Sequence, residues 1–193
     1  TTPAEVCIVS DTKSTYYTKH NAGDGAHLSL IGELARRFNE TAVPFRHVLL
    51  ADLLQKGLVP PQKFYIITNL LMLTGLERKQ LMERFEEEKA TVLWMYAPGV
   101  FFPENGPSAA NIQNLLGIGM KMEVRNMAPA IALKDGWGVK SAVNPNISGP
   151  WFFPQDGFGE VIGTMSDGVP ALVSWEKNGA RHYFSTLMYR SEE

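Results

Sequence analysis

The chain has 193 residues, a formal net charge of -2, 45% hydrophobic and 20% charged residues. This is enough chain for one domain with a substantial core, and an ordinary globular composition. The charge makes no electrostatic case for nucleic acid, no apolar run approaches the roughly 20 residues of a membrane-spanning helix, and no charged-then-apolar signal opens the sequence.

Val6-Cys-Ile-Val9, bounded by Asp11, is a continuous apolar run, as expected of a strand buried on both faces. Residues 27–38 place Leu28, Ile31, Leu34, Ala35 and Phe38 at helical spacing. Phe45 to Leu50 is a second strand, residues 51–62 leave room for a short helix, and Lys63 to Asn69 is a third strand. Thr74-Gly-Leu-Glu77 is a capping-box pattern opening a helix to about Lys89, with Leu81, Met82 and Phe85 on one face. ATVLWMY is the fourth strand, and Ser108 caps a helix stopped at Gly117. Helices between apolar strands imply a parallel sheet with helices on its faces. Residues 120–150 carry few periodic signals. Beyond Glu160, VIGTM, PALVSWE and RHYFSTL are separated by Asp-Gly and Asn-Gly, strong hairpin signals. The expectation is a single domain over residues 1–193, with both ends cut close to strands, as in a piece excised from a longer chain.

Ligands of an open parallel sheet bind beyond the carboxyl ends of its strands. Here those ends carry Asp11 to Thr15, Asn69, and Tyr96 to Gly99. The hydroxyl-rich loop Ser10-Asp-Thr-Lys-Ser-Thr15 is similar to a flavodoxin phosphate loop, but Lys13 stands where a glycine is needed and no helix follows directly. A polar loop closed by its own turn hydrogen bonds is the better reading, and no cofactor is expected. Gly157-Phe-Gly159-Glu-Val-Ile-Gly163 precedes a strand, not a helix, and is read as a turn. Cys7 sits inside an apolar run, where a thiolate is disfavoured. His20, His27, His47 and His182 have no paired ligand spacing, so no metal is expected. The carboxylates at 86–88 are read as a solvated helix face. Tyr16, Tyr17, Tyr96, Trp137, Trp151, Phe152 and Phe153 fall in loops or at strand ends. Core packing, or burial against a neighbouring domain, is the commoner reason for such rings, with carbohydrate contact as the alternative.

The strand-turn Ala90 to Gly99 resembles that of class I glutamine amidotransferase-like domains, which are flavodoxin-like α/β folds. In those a nucleophilic cysteine stands two residues before a glycine. Counting back from Gly99 gives Ala97, which has no nucleophile. The better resemblance is to the trimerisation domain of family 42 β-galactosidases. It rests on Tyr96-Ala-Pro-Gly99, Asn114-Leu-Leu-Gly117-Ile118, Thr74-Gly-Leu-Glu77 with Arg78, and VPFRHVLLADLL, over residues 5–120. Asp167-Gly-Val-Pro-Ala171 is similar to the closing segment of amidotransferase-like domains.

The resemblance implies a flavodoxin-like parallel sheet flanked by helices, with a β-hairpin-rich C-terminal portion. It also implies a non-catalytic structural or oligomerisation domain of a larger carbohydrate-active protein, with other domains of that protein or further copies of this chain as partners. The alternatives are a sugar or small-molecule binding module using Asp11, Tyr16, Asn69 and Tyr96, or a hydrolase-type enzyme at the same edge with Asp11 as base. No catalytic residue is assigned. The chain holds no barrel and no identifiable pair of glycosidase carboxylates.

Overall fold

The computed structural model describes residues 5–17, 31–32, 34–125, 130–134, 141–142 and 150–187. Strands β1 (Val6–Ser10), β2 (Phe45–Leu49), β3 (Phe64–Ile67) and β4 (Thr91–Met95) alternate with helices α1 (Leu34–Glu40), α2 (Leu50–Leu54) and α3 (Gly75–Glu87). After β4 come a small hairpin, β5 (Phe101–Phe102) and β6 (Gly106–Pro107), then α4 (Ala109–Leu116). The remaining strands are β7 (Met120–Val124), β8 (Ala130–Leu133), β9 (Ser141–Ala142), β10 (Pro150–Pro154), β11 (Glu160–Met165), β12 (Pro170–Lys177) and β13 (Ala180–Ser185).

The main sheet has nine strands in the order β2-β1-β3-β4-β13-β12-β11-β8-β9. Its first five are parallel: β1 pairs with β2 and β3, β3 with β4, and β4 with β13. That is the flavodoxin-like order with β13 as fifth strand. β13 also closes the antiparallel β11-β12-β13 meander. The sequence marks the meander through its turns. Asn178 and Gly179 both take positive φ, 49° and 85°, as a tight hairpin requires. Nothing local announces that β13 also lies parallel to β4.

The apolar strands are continuous runs because both faces are covered. Cys7, Val9, Tyr65, Ile67, Val92 and Trp94 face a core shared with Leu53, Leu81, Phe85, Ile112, Leu115 and Leu116 of α2, α3 and α4. Ile8, Ile66 and Met95 point the other way, against Leu34, Ile31 and Phe38. Phe85 is fully buried between Tyr65 and Trp94. Phe85→Ala would cost about 3–5 kcal/mol through lost burial and the cavity left behind.

Local signals set the helix ends. Thr74 Oγ1 accepts from Glu77 N–H while the Glu77 carboxylate accepts from Thr74 N–H, closing the expected capping box. Ser108 caps α4, and Gly117 ends it in the left-handed region. α1 falls at Leu34–Glu40, overlapping the C-terminal part of the helix expected over 27–38 and running two residues beyond it; positions 27–30 and 33 lie outside the described residues.

Two readings change. The stretch after Gly119 is richer in strand than its weak periodicity suggests: β7 and β10 pair antiparallel as a separate ribbon. Trp151, Phe152 and Phe153 belong to β10 and are at most 3% exposed. Phe152 joins the main core, while Trp151 and Phe153 join a second cluster with Ile131, Met165 and Ala171. Nor are the carboxylates at 86–88 all solvated. Glu88 accepts from Tyr65 Oη at 2.5 Å and pairs with Arg84 at 2.9 Å, tying α3 to the sheet.

Candidate functional site

The carboxyl ends of β1 and β3 meet through Asp11 and Asn69. Asp11 N–H donates to Asn69 Oδ1 at 2.8 Å, and Asn69 Nδ2 donates back to the Asp11 carbonyl at 2.8 Å. Both residues are buried, at 5% and 0% exposure. The Asp11 carboxylate accepts from Ser14 N–H and Ser14 Oγ. Ser14 Oγ in turn accepts from Leu71 N–H and Met72 N–H in the loop after β3. Ser10–Thr15 is therefore a loop closed on itself and on its neighbour, with Thr15 N–H on the Thr12 carbonyl. Asp-x-x-Ser is a recognised local turn pattern, so Ser14 was legible in the sequence; its reach to residues 71 and 72 was not.

Lys13 pairs with Glu77 at the start of α3. Burial alone would raise the Glu77 carboxyl, but hydrogen bonds from Lys13 and Thr74 outweigh it and hold it below the usual range. Tyr16 and Tyr17 follow on a 3-10 turn, Lys13–Tyr17, and are 84% and 44% exposed. The Tyr17 ring lies against Phe101, with centroids 4.7 Å apart.

The β4 turn has an elbow shape. Tyr96 takes a positive φ of 64°, uncommon for a residue with a side chain. The strained position is thus Tyr96, one residue before Ala97, and Ala97 itself is 1% exposed. An acyl-transfer elbow needs a nucleophile and free backbone N–H donors for the oxyanion. Here Tyr96 N–H donates to Ser185, Ala97 to Met95, Gly99 to Leu70, Val100 to Ala97 and Phe101 to Leu71, and Pro98 has no N–H. Every donor from 96 to 101 is spent internally.

Arg78 fixes this turn from behind. Its guanidinium donates to the carbonyls of Leu73, Gly99 and Asn111, the last at 2.6 Å. Gly99 has φ of 64°, and a Cβ there would stand 3.0 Å from both Arg78 Nη2 and Leu115 Cδ2. Burial lowers the Arg78 pKa from its ordinary value. No periodicity reveals a link spanning 33 positions.

Of the four sequence candidates, the structure joins Asp11 and Asn69 directly. Tyr96 lies at the neighbouring strand end, its hydroxyl on the Pro150 carbonyl and its ring edge-on to Trp151 and Phe152. Burial pushes the Tyr96 phenol up to about 12. Tyr16 stands apart on the surface. Cys7 is fully buried, with its thiol pushed up to about 11 by desolvation. Gly157 and Gly159 lie in the turn before β11, at φ 86° and 71°. His182 is buried, with Nδ1 accepting from Trp94 Nε1 at 3.1 Å and its ring stacked on Trp175. Among the described residues no group of three or more His, Cys, Asp or Glu side chains could hold a metal, and no helix is long and apolar enough to cross a membrane. His20, His27, Asp24 and Trp137 lie outside the described residues.

No protein-family model matches the chain, and no curated protein matches it. Solved structures do. A catalytic mutant of Gan42B, a GH42 β-galactosidase from G. stearothermophilus, superposes with a TM-score of 0.71 at 15% identity over 95% of this chain and 27% of that one. A β-galactosidase from the Antarctic haloarchaeon Halorubrum lacusprofundi gives a TM-score of 0.73 at 15% identity, over 98% of this chain and 28% of that one. The exo-β-1,4-mannosidase Op5Man5 from Opitutaceae bacterium strain TAV5 gives 0.62 at 15%, over 94% and 30%. The chain spans less than a third of the length of each of these glycosidases. Its fold is that of a segment making up a little over a quarter of the β-galactosidases it resembles, Gan42B of GH42 among them.

Proposed function

We propose that this chain is a non-catalytic structural and self-associating domain of a larger carbohydrate-active protein of the glycoside hydrolase kind. The observation that carries this reading is the β4 elbow. Its strained residue is Tyr96; the next residue, Ala97, where the resemblance would put a nucleophile, carries only a methyl group, and every backbone donor from Tyr96 to Phe101 is spent on the protein itself. What remains exposed favours contact over chemistry: Val124 is 86% and Met122 53% exposed on the outer part of β7, and Leu76 is 65% exposed at the start of α3. Exposed apolar side chains such as Met122 and Val124, two positions apart on β7, suit a surface that another copy or a neighbouring domain covers. The likeness to a fraction of several glycosidases supports the wider setting.

The direct check on the chemistry is hydrolysis of nitrophenyl β-galactoside and β-mannoside by the purified chain. No turnover is expected. Turnover that disappears in Asp11→Asn would contradict the reading and favour a hydrolase at this edge.

A further inference from the structure

We infer that the outer edge of β7 pairs antiparallel with the same edge of a second copy, in the register that sets Met122 opposite the partner's Met122. Two β7–β10 ribbons then join into one four-stranded sheet about a two-fold axis. This rests on the self-associating reading above and names its surface. The prolines of the ribbon decide which of its edges is open. β10 pairs Pro150 with Val124, Phe152 with Met122 and Pro154 with Met120. A proline has no N–H, so the Val124–Pro150 and Met120–Pro154 pairs cannot exchange hydrogen bonds. The bonded pairs are therefore Glu123–Trp151 and Lys121–Phe153, and Gln155 N–H on the Gly119 carbonyl at 2.8 Å continues the same phase. On β10 the outward backbone groups belong to Pro150, Phe152 and Pro154, so that edge lacks donors at both ends. On β7 the outward groups belong to Met120, Met122 and Val124, and no described strand takes them. Side chains engage Met120, its N–H on Gln113 Oε1 at 3.5 Å and its carbonyl on Gln155 Nε2 at 3.3 Å. Met122 and Val124 are the exposed part of the edge.

Charge selects the partner and the register. Met120, Met122 and Val124 share one face of β7, and Lys121 and Glu123 share the other. Within the chain Lys121 and Glu123 pair at 2.9 Å, and Arg125 also pairs with Glu123 at 2.6 Å. A second copy centred on Met122 sets Lys121 opposite the partner's Glu123 and Glu123 opposite the partner's Lys121. On the other face Val124 meets the partner's Met120, and the exposed Met122 is covered by its counterpart. Moving the centre to Glu123 would set that carboxylate opposite itself and Lys121 opposite the partner's Arg125. Moving it to Lys121 would set that ammonium opposite itself. Like charges directly opposite destabilise a sheet, so the strand is complementary to its own copy in the register centred on Met122. Such a two-fold contact closes on itself.

The test is oxidative cross-linking of Met122→Cys with copper phenanthroline, beside sedimentation of charge variants. In this register the two introduced thiols sit on Cα atoms about 5.5 Å apart, within a disulfide's reach. In Val124→Cys they are about 14 Å apart and out of reach. Cys7 is fully buried, so the parent reads the background. The expected result is a covalent dimer from Met122→Cys and none from Val124→Cys or the parent. Lys121→Glu and Glu123→Lys should each weaken association about tenfold. An equimolar mixture of these two should recover it, because every opposed pair is again acid against base, and recovery shows that both are folded. Self-association of the parent without a Met122→Cys dimer overturns the inference and leaves the assembly reading standing. So does a Val124→Cys dimer that forms as fast, or association indifferent to both charge variants. A parent that stays monomeric overturns both.

Discussion

The Tyr96 hydroxyl donates to the Pro150 carbonyl at 2.8 Å across 54 positions of sequence, fastening the β7–β10 ribbon to the carboxyl edge of the parallel sheet. The ring supports the same contact by standing edge-on to Trp151 and Phe152. A residue in a left-handed conformation thus packs the ribbon against the sheet edge. Tyr96→Phe keeps the ring and should lower stability by only about 0.5–1 kcal/mol. Tyr96→Ala should cost several times more, because the ribbon loses its anchor. Urea unfolding of the two variants reads the difference; equal losses would mean the hydroxyl, not the ring, holds the ribbon.

Arg78 is the second fastening. Arg78→Met strands the Leu73, Gly99 and Asn111 carbonyls and should destabilise by about 3 kcal/mol. Arg78→Lys should recover little, since an ammonium lacks the planar fork that reaches three acceptors at once. A lysine variant as stable as the parent would show that the guanidinium geometry does not matter.

Restoring a thiol should not restore chemistry. In Ala97→Cys the new side chain would sit at a 1% exposed position beside donors that are already bonded. The variant should show no glutaminase activity and should react with iodoacetamide far more slowly than free cysteine. Rapid alkylation would indicate an open elbow.

His182 gives the fold an acid-sensitive point. Burial pushes its pKa down to about 4, from an ordinary 6.5. The unfolded chain therefore binds the proton that the folded chain refuses. The contribution is complete above pH 6.5 and is lost as pH falls from 6.5 towards 4, amounting to about 3 kcal/mol. Burial lowers the His47 pKa as well, so His47 acts in the same direction. His182→Gln should flatten the slope of stability against pH in that window relative to the parent. An unchanged slope would move the effect to His47.

Much of the frame was legible because it is local. Both faces of β1, β3 and β4 are buried, so each is a continuous apolar run. Thr74 and Glu77 close a cap within one turn, and Asn178-Gly179 can turn a hairpin unaided. What escaped is set by distant partners. Trp151, Phe152 and Phe153 read only as loop or strand-end rings, because the pairing of β10 with β7 is set across about 30 positions, and their rings bury on both sides. β13 ends a meander by its turns but gains its parallel place from β4. Glu88 looks like its neighbours Glu86 and Glu87 until Tyr65 is brought beneath it. At the candidate site, the sequence put Asp11 and Asn69 at one edge. It could not show that they would bond to each other, or that Ser14 would take up the carboxylate.

Sedimentation equilibrium of the chain over a wide concentration range tests the central claim most directly. A self-associating structural domain should show reversible, concentration-dependent mass above the monomer, reduced by Val124→Glu at the exposed end of β7. An ideal monomer at every concentration would contradict the account.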